Sequence, residues 1–454
     1  MEPRQVRFLM SKTTKFSQNG TNFSIDSISA NDSDESPSES ALSTLDSIST
    51  AIEGENSTNS SINVSMVTPW KQECGNAEYA ERLCVALNRF ANITAFDLRN
   101  FSEDFELRSR IGVKKYFRQL IADINRQESD IVHLQHEYCF FGRSIQRSNC
   151  EFLRFTQRVK RPIVVTLHTW LESSVNPIRK LKSYLKNPVS CIREMIQRKD
   201  YYKALCNCKG IVVHSHETYT QLVSTYPKLR DRVRVIQIPI SPVDSGTKAS
   251  PIKKGKGDVW MLLPGFVSPY KGHSDAINVL EHLPENLKLV IAGGRHPKDR
   301  GAARYWMELL QAVETKGLQE RVIFTGFLAT GSEQASVLKQ ADLFILPYKE
   351  VGQSGSAVLA DALAYDRPVV TSRARSMFAY RMSQDCVYSS VSTDVTNPQS
   401  FAELIVSLLE NKAEHSHLAS NRVAAIERYS LESIGAEYKK LYSEVRSQIE
   451  CKSA

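Results

Sequence analysis

The sequence predicts an α/β protein built from two doubly wound domains that face a cleft. Three observations carry this. From residue 62 onward, short apolar runs alternate with amphipathic helical stretches. The runs are continuous in Val, Ile and Leu, the pattern of strands buried on both faces in a helix-covered parallel sheet. The rhythm breaks once, at SPVDSGTKASPIKKGKGD (241–258), a Ser-, Pro-, Gly- and Lys-rich stretch that reads as a linker, and then resumes.

In chain order, INVSMV (62–67) opens the first domain and is followed by the helical NAEYAERLCVALNRF. DIVHL (130–134), PIVVTLH (162–168), GIVVHS (210–215) and RVIQIP (234–239) continue it. After the linker come VWMLLPGF (259–266), KLVIAGG (288–294), RVIFTGF (321–327), LFILPY (343–348) and PVVTS (368–372). Asn397-Pro398 marks a helix start, an N-cap followed by proline at the first turn. Beyond Ser430, Leu431, Ile434, Tyr438, Leu441, Val445 and Ile449 recur at three to four residues, the stripe of an amphipathic helix. The predicted boundaries are a disordered Ser-rich acidic tail at 1–61, a first domain at 62–245, a linker at 246–258, a second domain at 259–430 and a final helix at 431–454 that could return to the first domain.

The 454 residues include 58 Lys and Arg against 50 Asp and Glu, a net charge of +8. That average hides unlike parts. Residues 1–61 carry −5, which leaves +13 for the rest. Residues 16–61 hold 14 serines and neither Lys nor Arg, too little apolar surface to offset the entropy of ordering, and are read as a disordered acidic tail. No window approaches the ~18 apolar residues of a membrane span, and no secretory leader opens the chain. Nine cysteines without paired C-x-x-C spacing fit reduced thiols and a cytoplasmic protein. A disulfide scaffold, a membrane channel and a collagenous protein are excluded.

In doubly wound sheets ligands bind outside the carboxyl ends of the strands, so the chemistry is sought there. Gly75 follows the first strand and is either an ordinary turn glycine or a point of close ligand approach. Gln135, His136 and Glu137 follow the second run; binding and structural hydrogen bonding are both open to them, and their order is not that of a zinc protease. His168 closes PIVVTLH, where an imidazole can serve a sugar hydroxyl or simply the fold. Lys271, between a strand and a helix, suits a phosphate. The stretch 343–372 runs from a strand into a Gly/Ser loop (Gly352 to Ser356) and a helix, an anion cradle, with Asp361 placed to accept two hydroxyl hydrogen bonds. It is neither a P-loop nor a dinucleotide fingerprint.

These motifs, in this order over about 62–372, resemble retaining glycosyltransferases of family 4, the glycogen-synthase-like group with the GT-B fold of two Rossmann-like domains. The matching segments are GNAEY, DIVHLQHEY, TLHT, GFVSPYKGH, LVIAGG, VIFTGF, ADLFILPY with its Gly/Ser loop, and DRPVV. The resemblance implies a nucleotide-diphosphate sugar, UDP- or GDP-linked, bound by the second domain, and a glycan or lipid-linked acceptor bound by the first through Gln135, His136 and Glu137. It implies donor contacts from Gly75, Lys271, Gly294, Ser354, Gly355, Ser356 and Asp361, with His168 and Gln353 at the transferred sugar and no metal or other cofactor. Two positions depart from the family pattern. The first carboxylate of its E-x7-E pair is Gln353 here, and the arginine five residues before the phosphate lysine is Phe266. A non-catalytic sugar-nucleotide or glycan-binding homologue and a GT-B epimerase are therefore the alternatives.

Residues 178–203 carry a net +6. A solvated surface helix and a docking site for an anionic bilayer both fit, the latter making the protein peripheral at the inner face of a membrane. Nucleic-acid binding finds no supporting motif.

Overall fold

A computed structural model describes residues 62–70, 74–99, 109–171, 188–243, 249–296, 301–328, 331–365, 367–380, 394–411 and 422–453. The acidic tail and the first ten residues of the basic segment lie outside them.

The first lobe holds β1 (Ile62–Thr68), α1 (Gly75–Leu87), β2 (Ala91–Asp97), α2 (Arg110–Arg126), β3 (Ile131–His136), α3 (Ile145–Arg158), β4 (Ile163–Leu167), α4 (Pro188–Asn207), β5 (Gly210–Val213), α5 (His216–Thr225) and β6 (Val233–Val235). Its sheet is parallel throughout, in the order β2-β1-β3-β4-β5-β6. The second lobe holds β7 (Val259–Pro264), α6 (His273–Val279), β8 (Leu287–Ala292), α7 (Ala302–Thr315), β9 (Val322–Phe324), α8 (Gly331–Leu338), β10 (Leu343–Leu346), α9 (Ala357–Ala364), β11 (Val369–Thr371) and α10 (Pro398–Glu410). Its sheet, β11-β10-β7-β8-β9, is again parallel. The predicted fold class is the observed one.

Each sheet reverses its strand order at one point, between β1 and β3 in the first lobe and between β7 and β10 in the second. Such switch points open crevices at the carboxyl ends of the strands. Gly75 follows β1, Gln135 and His136 end β3 with Glu137 just beyond it, and Lys271 and the 350–356 loop follow β7 and β10. Topology alone therefore gathers most of the sequence-predicted residues.

The strands on either side of the switch points are buried along almost their whole length, which is why they read as continuous apolar runs. Several end earlier than the sequence suggests. In PGF the strand stops at Pro264 because Gly265 turns to a φ of 94°. In TGF it stops at Phe324, before Gly326 at 71°. β2 was not anticipated. It is an edge strand of alternating exposed and half-buried residues, so it shows no apolar run. Asn397 caps α10 as expected, its Oδ1 accepting from the Ser400 N–H at 3.3 Å.

The final helix, α11 (Leu431–Ser453), lies along α1 of the first lobe. Its stripe of Ile434, Tyr438, Leu441, Tyr442 and Val445 is buried. The stripe is not only apolar packing. Tyr442 Oη meets His133 Nδ1 at 2.6 Å, and Tyr438 Oη meets Tyr79 Oη of α1 at 2.7 Å. Burial pushes the His133 imidazole down to about 3, so it is neutral and bridges Tyr442 to Thr166 Oγ1 at 2.8 Å. These bonds satisfy polar groups that would otherwise be stranded beneath the helix.

Gly272 joins Lys271 to α6 and is the tightest turn at the second crevice. Its φ is 75°, and a Cβ there would run into the carbonyl oxygen of Pro347, at the end of β10. Gly272→Ala is expected to destabilise the protein by about 3 kcal/mol, from the left-handed backbone and the clash together, measured as a drop in the urea midpoint at unchanged m-value.

Candidate functional site

Lys271 lies at the carboxyl end of β7 and is only 5% exposed. Gly265 makes room for it, since a Cβ at that glycine would occupy the ammonium's place. The Nζ lies 5.7 Å from the centre of the Tyr348 ring. Burial pushes the ammonium down to about 8, and Glu78 and Asp361 pull it partly back. A buried lysine whose charge is disfavoured by burial marks a candidate functional position.

Asp361 sits on α9, whose N-cap Ser356 accepts the Leu359 N–H on its Oγ at 3.2 Å. The sequence leaves its carboxylate free for two hydroxyls. In the structure both oxygens are taken by Arg82 of α1, Oδ1 at 2.5 Å and Oδ2 at 3.1 Å, across the cleft. Arg82 also pairs with Glu78 one turn before it. Burial raises Asp361 above the usual carboxylate range, and Arg82 and Lys271 oppose that rise. The arginine was not singled out in the sequence. Its partner is 279 residues away, and on a helix with alternating charges it looks like ordinary surface.

The Gly/Ser loop meets the end of β4 as a short antiparallel ladder. Thr169 pairs with Gln353, and the Trp170 N–H donates to the Gly352 carbonyl at 2.7 Å. The Ser354 N–H, assigned from the sequence to a diphosphate, donates here to the His168 carbonyl at 2.8 Å, and its Oγ donates to the Leu167 carbonyl at 2.6 Å. That N–H is therefore committed to the ladder in this structure. Gly355 packs against the side chain of His214 at the end of β5. The Gln353 side chain shares a hydrogen bond with Tyr270.

Glu350 does not stand in for the carboxylate missing at Gln353. Its Oε1 accepts the Gly352 N–H at 2.5 Å and its Oε2 the Arg375 N–H at 2.6 Å. Arg375 in turn donates from Nη1 to the Trp170 carbonyl at 3.1 Å. Glu350 is thus a clamp for the loop.

In the first lobe the pleat of β3 separates residues that are neighbours in sequence. Gln135 points with His133 toward α11, and the Nε2 of His168 donates to its Oε1 at 2.9 Å. His168 also meets Tyr79 and His214 edge-on or tilted, at 4.9 and 5.3 Å between ring centres. Burial holds its imidazole well below its ordinary value, and the neighbouring histidines add to this. His136 projects to the opposite face. It is fully buried among Phe141, Phe152, Tyr138 and Tyr201, with no partner for either ring nitrogen among the described residues. Burial pushes it down to about 3. The grouping of His136 with Gln135 is therefore corrected: alternation along a strand sends adjacent side chains to opposite faces. Glu137 accepts from Thr169 Oγ1 at 2.6 Å and from the Tyr138 N–H at 3.0 Å, and burial raises it.

A Cβ built on Gly75, at the start of α1, would meet nothing within 4 Å. Gly294 is close-packed instead, against the backbone of Phe327. Phe266, where the family pattern has arginine, lies 4.9 Å from His296 and 6.0 Å from Phe327, ring centre to ring centre. Among the described residues no cluster of His, Cys, Asp and Glu is arranged to hold a metal, and no helix is long and apolar enough to cross a membrane. Of the basic segment, residues 188–203 are described and lie in α4, where Tyr201 is buried and Ile196 is 49% exposed.

Comparison with known proteins agrees with this architecture. Residues 66–242 match the family model described as Glycosyltransferase Family 4, and residues 260–411 match the one described as Glycosyl transferases group 1. A D-inositol 3-phosphate glycosyltransferase of Xylanimonas cellulosilytica is 24% identical over 246 residues, 52% of this chain. The match spans 57% of that relative's length. Among solved structures, a UDP-forming α,α-trehalose-phosphate synthase from Burkholderia xenovorans superposes with a TM-score of 0.63 at 13% identity, over 85% of this chain and 99% of its own. Sucrose-phosphate synthase from Thermosynechococcus elongatus gives 0.61 at 15% identity, over 85% and 100%. Anabaena HepE, solved with UDP and glucose, gives 0.57 at 15% identity, over 84% and 100%. With a glycosyltransferase domain matched in each lobe and two facing doubly wound sheets, the chain belongs to the GT-B glycosyltransferases.

Proposed function

We propose that the protein transfers a hexose from a nucleotide-diphosphate sugar, UDP- or GDP-linked, to a hydroxyl of a glycan or lipid-linked acceptor, with retention of anomeric configuration. The observation that carries this is Lys271, a buried cation at the switch point of the second sheet with Asp361 beside it. A lysine held there stabilises the departing diphosphate, whose charge develops as the glycosidic bond breaks. Asp361 serves the ribose hydroxyls. Gly75, at the open start of α1, and Gly294 border the donor, and Gln135 and Glu137 lie on the acceptor side.

Retention is favoured by what surrounds the sugar position. Gln353 has no carboxylate, Glu350 is committed to the loop, and Glu137 is committed to Thr169 and Tyr138. With these occupied, the leaving diphosphate oxygen takes the acceptor proton on the face where the new bond forms. The chain's own task is orientation and charge stabilisation, with His168 and Gln353 contacting the transferred sugar. The net +6 of residues 178–203 supports peripheral docking on an anionic membrane, where a lipid-linked acceptor resides.

The test is incubation with a panel of nucleotide sugars and acceptors, following nucleoside diphosphate release and the anomeric configuration of the product. Release with an α-linked product from an α-linked donor is expected. No release with any donor, or an inverted product, contradicts the proposal. Gln353 and Phe266 favour one other reading, a homologue that binds without turnover, which the same panel would show as binding with no release.

A further inference from the structure

We propose that Arg82 is a phosphate-binding residue supplied from the first lobe. In this structure it holds Asp361; when donor hydroxyls take that carboxylate, it turns to the diphosphate beside Lys271. The inference rests on the donor site proposed above.

Arg82 lies two turns into α1 from Gly75, and its side chain is 16% exposed. It reaches across the cleft to Asp361 with both terminal nitrogens, so neither carboxylate oxygen is free of it. Glu78 is its second partner, and Lys271 is drawn by the same two carboxylates. Two cations and two carboxylates thus share one small cluster contributed by both lobes, with Lys271 and Arg82 mostly buried and Glu78 at its exposed edge. A donor that bonds Asp361 through its hydroxyls competes directly with Arg82. The displaced guanidinium keeps only Glu78, and an underpaired charge in a buried setting is strongly unfavourable.

The donor resolves the imbalance it creates. Its diphosphate brings negative charge to Lys271, at the edge of the same cluster. A guanidinium fork matches two phosphate oxygens better than an ammonium does. Phe266, where the family pattern has its arginine, packs with His296 and Phe327 and offers no charge. On this proposal the second cation for the diphosphate comes from across the cleft. Donor binding would then also tie α1 to the second lobe through the ligand.

Calorimetric titration of the full chain with UDP, with GDP and with the two nucleosides tests this on wild type, Arg82→Ala and Arg82→Lys. A single charge-assisted contact predicts that Arg82→Ala weakens diphosphate binding about tenfold or more. Nucleoside affinity should hold or rise, because Asp361 is released. Arg82→Lys should recover part of the diphosphate affinity, and it supplies the comparison if the alanine variant does not fold. Unchanged or tighter diphosphate binding in both variants would overturn the inference, since Arg82 would then only compete for Asp361. Equal losses for nucleoside and diphosphate would overturn it as well. Wild-type protein that binds neither nucleotide would instead remove the donor site itself, a failure visible without any variant.

Discussion

Replacing Lys271 with methionine is expected to remove most of the affinity for a nucleoside diphosphate and to leave the protein at least as stable. The side chain is 5% exposed, and burial holds its ammonium near 8, well below the ordinary lysine value of 10.5. Because the folded-state value is the lower one, folding works against the charged form. That cost is about 3 kcal/mol at neutral pH, fully present below pH 8 and gone as pH rises toward 10.5. Methionine has a similar shape and no charge to desolvate, so the variant's unfolding temperature should be no lower at pH 7. Nucleoside diphosphate affinity should fall tenfold or more, as for the loss of a charge-assisted contact. Wild-type affinity should also decline as pH rises past about 8, and calorimetry should find that decline absent from Lys271→Met. A variant that binds as wild type does, or that unfolds at markedly lower temperature, would mean the lysine is a structural support.

Asp361→Ala should behave in the opposite way, losing stability and donor binding together. Asp361 holds Arg82 bidentately across the cleft, with the two side chains 27% and 16% exposed. Removing it leaves a buried guanidinium with Glu78 alone. Breaking one partner of such a pair costs about 3 kcal/mol or more, because the remaining charge stays desolvated. The double variant Arg82→Met with Asp361→Ala should regain most of that stability in urea unfolding, and a double-mutant cycle should show the coupling. It should not regain donor affinity, since the carboxylate for the ribose is still missing. An Asp361→Ala protein as stable as wild type would show that the ion pair is solvated and carries little energy.

The two variants together separate stability from function at one site. On the proposed reading, Lys271 is held at a cost that a ligand offsets, and Asp361 is held by a partner that the ligand displaces. Strained or costly groups of this kind are the expected mark of a functional cleft.

Much of the fold was legible because both sheets are parallel and buried. β3, β4, β7 and β10 are covered on both faces, and each appears in the sequence as a continuous apolar run. β2 was not legible, because an edge strand with one wet face has neither a long run nor a clean alternation. The stripe of α11 was legible as a helix. The bonds from Tyr438 and Tyr442 to Tyr79 and His133 were not, since nothing local to a helix reveals a partner some 300 residues earlier.

The placement of the proposed site's residues was legible where β7 and β10 are neighbours, since Lys271 follows one and Asp361 lies on the helix after the other. It was misread where neighbours in sequence were treated as neighbours in space, as with Gln135 and His136 on opposite faces of β3. It was incomplete where the two lobes meet. Neither Arg82 on Asp361 nor the His168 carbonyl on the Ser354 N–H has a local signal, because both bonds join segments that only the tertiary fold brings together.

The most direct test of the account is an equilibrium titration of the full chain with UDP and with GDP at pH 7, in wild type and in Lys271→Met. At least one nucleotide should bind wild type and release heat, and the variant should bind it at least about tenfold more weakly. Binding of neither nucleotide to wild type, or equal binding to both proteins, would contradict a donor site built on Lys271.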